Sequence, residues 1–225
     1  LVTDNPSPAY IKRVQDVFVN DGTGTRGNLA AVVKAILLDA EARQQPISPS
    51  FGKAREPVIR TMHLGRLFKL AQTHPKFVWW NWQENFYGSS VQEPMNSPSV
   101  FNFYTPSYQA PGEIRDSGLV SPVMQIVNTY SAVSFPNLLL DYLHGGFRAS
   151  YSWRYPLDYH ASLLVASNPA ALVDQVDLLI CTGNMTARTR GILLSKLADS
   201  ALTEQDRVAL AVWLAMTCPE GATQR

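Results

Sequence analysis

The strongest constraint in this sequence is a helical spacing of apolar residues that restarts several times, each time just after a residue able to cap a helix. In the last quarter "NPAALVDQVDLLIC", "TARTRGILLSKLADS" and "TEQDRVALAVWLAMTC" open on Asn168, Thr186 and Thr203. The side-chain oxygens of these residues satisfy amides that the first helical turn leaves free. Three amphipathic helices are predicted, with Gly183 turning the chain between the first two. Earlier, Tyr10, Ile11, Val14, Val17 and Phe18 share one face of a helix starting at Pro8. Asn28 caps "LAAVVKAILLDAEAR", and "GKAREPVIRTMHLGRLFKLA" gives a helix from near Arg55 with Pro57 in its first turn. Ser121 and Pro122 open another, "SPVMQIVNTYSAVSFPNLLLDYLHGG", which Pro136 should kink or split and Gly145–Gly146 should end.

Residues 73–120 follow neither period for long. They are rich in aromatic residues, Pro, Ser and Asn, and a connection of that length is unusual inside a compact domain. The expected organisation is one mainly α domain over 1–225, with little or no β: helices in 1–72, an irregular aromatic and Pro-rich insertion in 73–120, helices in 121–217. The aromatic rings predict that the insertion packs down, with Trp79, Trp82, Phe101 and Phe103 largely buried. The other reading of Trp79, Trp80, Trp82, Phe86, Tyr87, Tyr151, Trp153 and Tyr155 is a platform for stacking sugars or peptides.

Of the 225 residues 46% are hydrophobic and 16% charged, and the formal net charge is +1. A sizeable core is affordable, and no global field draws the chain to nucleic acid. No apolar run is long enough to span a bilayer. The first residue is Leu1, not Met, so the chain reads as a piece of a longer protein.

Gly22, Gly24 and Gly27 in "NDGTGTRGNL" spell G-x-G-x-x-G. A dinucleotide site needs a strand before the first glycine, and here a helix precedes it. A calcium loop needs a bidentate Glu at its twelfth position, where Ala31 or Val32 stands. The loop is therefore a turn between helices, and no cofactor is expected. The four histidines form no HxH or HxxxH pair and two cysteines are too few for zinc, so no metal is expected either. There is no G-x-S-x-G elbow. Glu56 and His63 lie two turns apart on one helix face, a spacing that suits an acid–base pair as well as a surface or core histidine. Cys181 and Cys218 are either two buried thiols or a disulfide joining the last helices.

Taken together, "LVTDNPSPAY", "RGNLAAVVKAILLDAEAR", "GKAREPVIR", "SPSVFNFYTPSY" followed by "APG", "GLVSPVMQI" and "LLICTGNMTARTR…VALAVWLAMTCPEGATQR" resemble the C-terminal half of a bacterial family, domain of unknown function 1800. The resemblance implies a longer, exported protein with a helical N-terminal half, whose gene often lies beside one for an exported protein resembling phosphatases and sulfatases. It implies an extracytoplasmic location, in the periplasm, at the cell surface or secreted. As partners it implies that N-terminal half, or self-association, and the phosphatase-like protein. It carries no catalytic residues over. The expected function is a binding or assembly module; the alternative is an extracytoplasmic enzyme whose active site is shared with the other half. For the enzyme the polar residues of these motifs, Arg55, Glu56, His63, Asn102 and Gln125, are the candidates. Where the family commonly reads "TSPEY" this chain has "TCPEG", and the cysteine so placed favours a Cys181–Cys218 disulfide.

Overall fold

A computed structural model describes residues 2–43, 50–70, 86, 88–93, 95–148 and 154–224. The chain is mainly α and divides into two compact units. Trp79, Trp80, Trp82, Tyr87, Tyr151 and Trp153 lie outside the described residues.

The first unit comprises Leu1–Ala54, Tyr104–Gln125 and Thr223–Arg225. Helix α1, Pro8–Val19, starts at Ser7, whose hydroxyl accepts the Tyr10 amide. The Glu41 carboxylate in turn accepts the Ser7 amide at 3.0 Å and its hydroxyl at 2.6 Å. Helix α2 covers Leu29–Leu38 from the Asn28 cap and packs on α1. The expected longer helix breaks at Asp39, whose carboxylate takes the Glu41 amide and two nitrogens of Arg13. A short α3, Ala40–Arg43, follows. Strand β1, Lys53–Ala54, pairs antiparallel with β4, Thr223–Gln224. Helix α5, Glu113–Asp116, is a single turn near the end of the predicted irregular stretch.

The glycine loop is a helix–helix connection. Asn20 Oδ1 accepts the Gly22 and Gly24 amides at 2.9 and 3.0 Å. The Asp21 carboxylate takes the Thr23 and Thr25 amides and the Asn28 side-chain amide. With φ near +90° at Gly22 and Gly24, a conformation natural only to glycine, the loop folds onto its own side chains.

The second unit comprises Arg55–Phe103 and Ile126–Ala222. Among its described helices are α4, Pro57–Leu67; α6, Ser131–Gly145; α7, His160–Leu163; α8, Pro169–Val176; α9, Ala187–Leu197; α10, Glu204–Thr217; and α11, Pro219–Ala222. Strands β2, Phe147–Arg148, and β3, Arg154–Tyr155, form an antiparallel pair. The Asn168, Thr186 and Thr203 side chains cap α8, α9 and α10 as predicted. Beyond α8 the chain runs straight into a π-helical turn, Asp177–Cys181, ended by Thr182 and Gly183 at positive φ. The core sits where α6 meets α10, with Leu139, Tyr142, Leu172, Ile180, Val208 and Ala215 buried.

Three further expectations change. Helix α6 begins at Ser131, not at Ser121: Pro122–Ile126 is a 3-10 turn, and Asn128 and Ser131 exchange reciprocal bonds at 2.9 Å where the helix opens. Pro136 does not split α6, because Phe135, Leu138, Leu139 and Tyr142 around it are all buried and hold the helix by packing. Phe101 is 59% exposed and Phe103 half-buried. A tight Ser99–Asn102 turn, closed by the Phe101 amide on Ser99 Oγ, throws the first ring outward.

Candidate functional site

Two polar clusters gather around α4 in the second unit. The first lies at its start. Pro57 has no amide to donate, and the amide of Val58 is satisfied by Oε1 of Gln92 at 3.0 Å, not by a local cap. Gln92 Nε2 then donates to the Glu56 carboxylate at 2.6 Å, and Asn102 Nδ2 reaches the same oxygen at 3.4 Å. Positive φ at Val91 (57°) and Asn102 (68°) bends the chain into these contacts. Such a conformation is strained for a β-branched residue, costing about 1–3 kcal/mol.

The second cluster lies along α4. Arg55 Nη1 donates to the Ile180 and Gly221 carbonyls, both at 3.3 Å. The Arg60 guanidinium donates to the Met216 carbonyl and lies over the Phe135 ring, 4.8 Å from its centroid. These acceptors are carbonyls at or near the last turns of helices, which carry partial negative charge. Among the described residues neither arginine has a carboxylate partner. Burial, reinforced by repulsion from Arg55, brings Arg60 down to about 10. His63 is depressed by burial and by Arg55 against one hydrogen bond to the Leu179 backbone, so it is neutral near pH 7. Its Nδ1 is buried with no partner among the described residues, as is Nε of Arg60.

Cys181 ends the π-turn and Cys218 follows α10, and their sulfurs are 3.9 Å apart. Both are free thiols in this structure, where a disulfide requires about 2.05 Å. The hydrogen bond to Cys218, with burial, pushes the Cys181 thiol far up. That same hydrogen bond and the Gly221 amide pull Cys218 down.

Of the predicted residues, then, Glu56 and Asn102 meet through Gln92, while Arg55 and His63 belong to the thiol side of α4. Glu56 and His63 do not pair. Gln125 lies in the first unit, where its Oε1 accepts the Thr105 amide at 2.7 Å. Gln92 and Arg60 escaped the sequence reading. Gln92 carries no local signal. Arg60 did carry one, being a charge inside the stripe made by Pro57, Leu64 and Phe68, all of which are buried. Among the described residues no group of three or more His, Cys, Asp or Glu is placed to hold a metal ion.

A family-wide comparison matches residues 1–222 to the family described as protein of unknown function (DUF1800). The chain belongs to the DUF1800 family. No curated protein and no solved structure matches it. Membership of DUF1800 assigns no chemistry to Arg55, Glu56 or Asn102. What the geometry itself offers in this DUF1800 chain is thiol chemistry, since the facing pair Cys181 and Cys218 are the nucleophilic side chains of the cluster.

Proposed function

We propose that this DUF1800 chain is an exported binding or assembly module, acting through the face built by α1 and α2. The observation that carries the reading is α2 itself. Its sequence "LAAVVKAILL" is apolar all round except for Lys34, yet none of its residues is buried. A helix of that composition is ordinarily covered on every side. Leu29, Val33 and Leu37 form an exposed stripe at i, i+4 and i+8. Beside it, Ile11, Val14, Phe18, Val32 and Ile36 line an open groove of about 670 Å³. Lys12 and Asp16 at the groove pair with each other, so the surface suits the apolar face of another helix better than it suits a charged ligand. The partners proposed are those that the family resemblance implies, the N-terminal half of the same protein or a second copy, with the exported phosphatase-like protein as a further one. The extracytoplasmic location is proposed on the same ground. The enzyme alternative, with an active site shared with the N-terminal half, would draw on Arg55, Glu56, His63, Asn102 and Gln125.

The test is association in solution by light scattering, with the Val33→Glu/Leu37→Glu double variant as control. The chain alone should self-associate, and the variant should do so about tenfold more weakly with unchanged helical circular dichroism. A strictly monomeric parent chain that also binds no apolar dye would overturn the reading.

A further inference from the structure

We infer that Cys181 and Cys218 form a reversible thiol–disulfide site, in which Cys218 is the attacking sulfur and Cys181 the resolving one. The inference rests on placement first. The two residues are 37 positions apart and stand at the ends of different elements, yet their sulfurs face each other at 3.9 Å. Closing the bond takes a further ~2 Å of approach. Cys181 is the last residue of a π-turn, a distortion of the helical ladder that occurs frequently at functional positions.

The two sulfurs are not equivalent. Cys181 is only 2% exposed, whereas Cys218 is partly exposed, so an oxidant meets Cys218 first. The Gly221 amide points at Cys218 Sγ from 3.4 Å, and a hydrogen bond joins the two sulfurs. Arg60 is the cation that a Cys218 thiolate would attract, and Arg55 stands in the same relation to Cys181. Asp177 and Glu220 oppose ionisation of Cys181, and Glu220 also opposes that of Cys218. In its protonated form Cys218 donates to the Ala215 carbonyl at 3.1 Å. The setting therefore makes Cys218 the better nucleophile and leaves Cys181 protonated until it is needed.

The co-reactant is a disulfide of general form RS–SR. Cys218 thiolate attacks one of its sulfurs, forming the Cys218–SR mixed disulfide and expelling RS⁻. Cys181 then loses its proton and attacks Cys218 Sγ, the Cys181–Cys218 bond forms, and the second RS⁻ leaves. The protein loses two electrons and two protons, and RS–SR becomes two RSH. Excess RSH reverses the sequence.

Oxidised glutathione serves as the probe on the full chain, with thiols counted by mass after denaturing, non-reducing alkylation. The parent chain should lose both thiols together and regain both with reduced glutathione. Cys181→Ser should stop at a glutathione adduct on Cys218, and Cys218→Ser should gain no adduct in the folded state. As a measurement independent of any variant, brief iodoacetamide treatment of the native parent chain should modify Cys218 about tenfold faster than Cys181. Two thiols that persist at equilibrium with excess oxidised glutathione would overturn the inference. So would faster labelling of Cys181, or bonds that form only between chains.

Discussion

Gln92 caps the helix that Glu56 opens: its side-chain oxygen takes the Val58 amide at 3.0 Å while its nitrogen holds the Glu56 carboxylate at 2.6 Å. One buried amide group thus settles a free helix-terminal donor and fixes a carboxylate where the helix dipole favours it. The price is a strained Val91 next to it in the chain. Gln92→Ala should therefore leave the Val58 amide unpaired and destabilise the chain by about 2–3 kcal/mol, measured by urea unfolding. A cost under about 0.5 kcal/mol would mean that Gln92 does not bear on α4 in solution.

Gly221 should tolerate no side chain. A Cβ built there lands on the Ala215 carbonyl oxygen, and 3.2 Å from Ile180 Cγ2. Both neighbours are fixed, one by the end of α10 and the other by the core, so neither can give way cheaply. Gly221→Ala should cost about 2 kcal/mol or more, read as a lowered urea midpoint. It should also disturb the Gly221 carbonyl that Arg55 uses.

Glu220 caps α9 from outside that helix, accepting the Thr186 amide at 3.1 Å and the Thr189 hydroxyl at 3.0 Å. Burial pushes its carboxyl up, but the hydrogen bonds from Thr186 outweigh burial and hold it at about 2, against an ordinary 4.5. A depressed carboxyl stabilises the fold fully above 4.5, and the contribution fades as pH falls from there through 2. Urea midpoints taken across that window should fall with acid in the parent chain and fall less steeply in Glu220→Gln. Parallel acid limbs in the two proteins would rule the cap out as their source.

Much of the architecture was legible because its causes are local. Pro8, Asn28, Asn168, Thr186 and Thr203 mark helix starts in the sequence and cap or begin helices in the structure, since a cap needs only the next three residues. The glycine loop was legible for the same reason. The start of α6 was misread because Ser121–Pro122 carries the same local signal as a true start. Only the reciprocal pair Asn128 and Ser131, backed by burial of Phe135 and Leu139, decides between them. Phe101 was misread because aromatic content predicts burial on average, whereas the Ser99–Asn102 turn fixes where that one ring points.

The sequence by itself determined the helix starts at Pro8, Asn28, Asn168, Thr186 and Thr203, the turn at Gly22–Gly27 and membership of the DUF1800 family, all properties of contiguous residues. Tertiary structure alone decided that Gln92 caps α4, that Arg60 donates to a carbonyl in the last turn of α10, and that Cys218 faces Cys181 across 37 residues of chain. Those relations join positions whose separation leaves no periodic trace. They exist because burial of the apolar stripes sets the helices in place, and the polar groups carried inside must then find partners wherever the packing has put them.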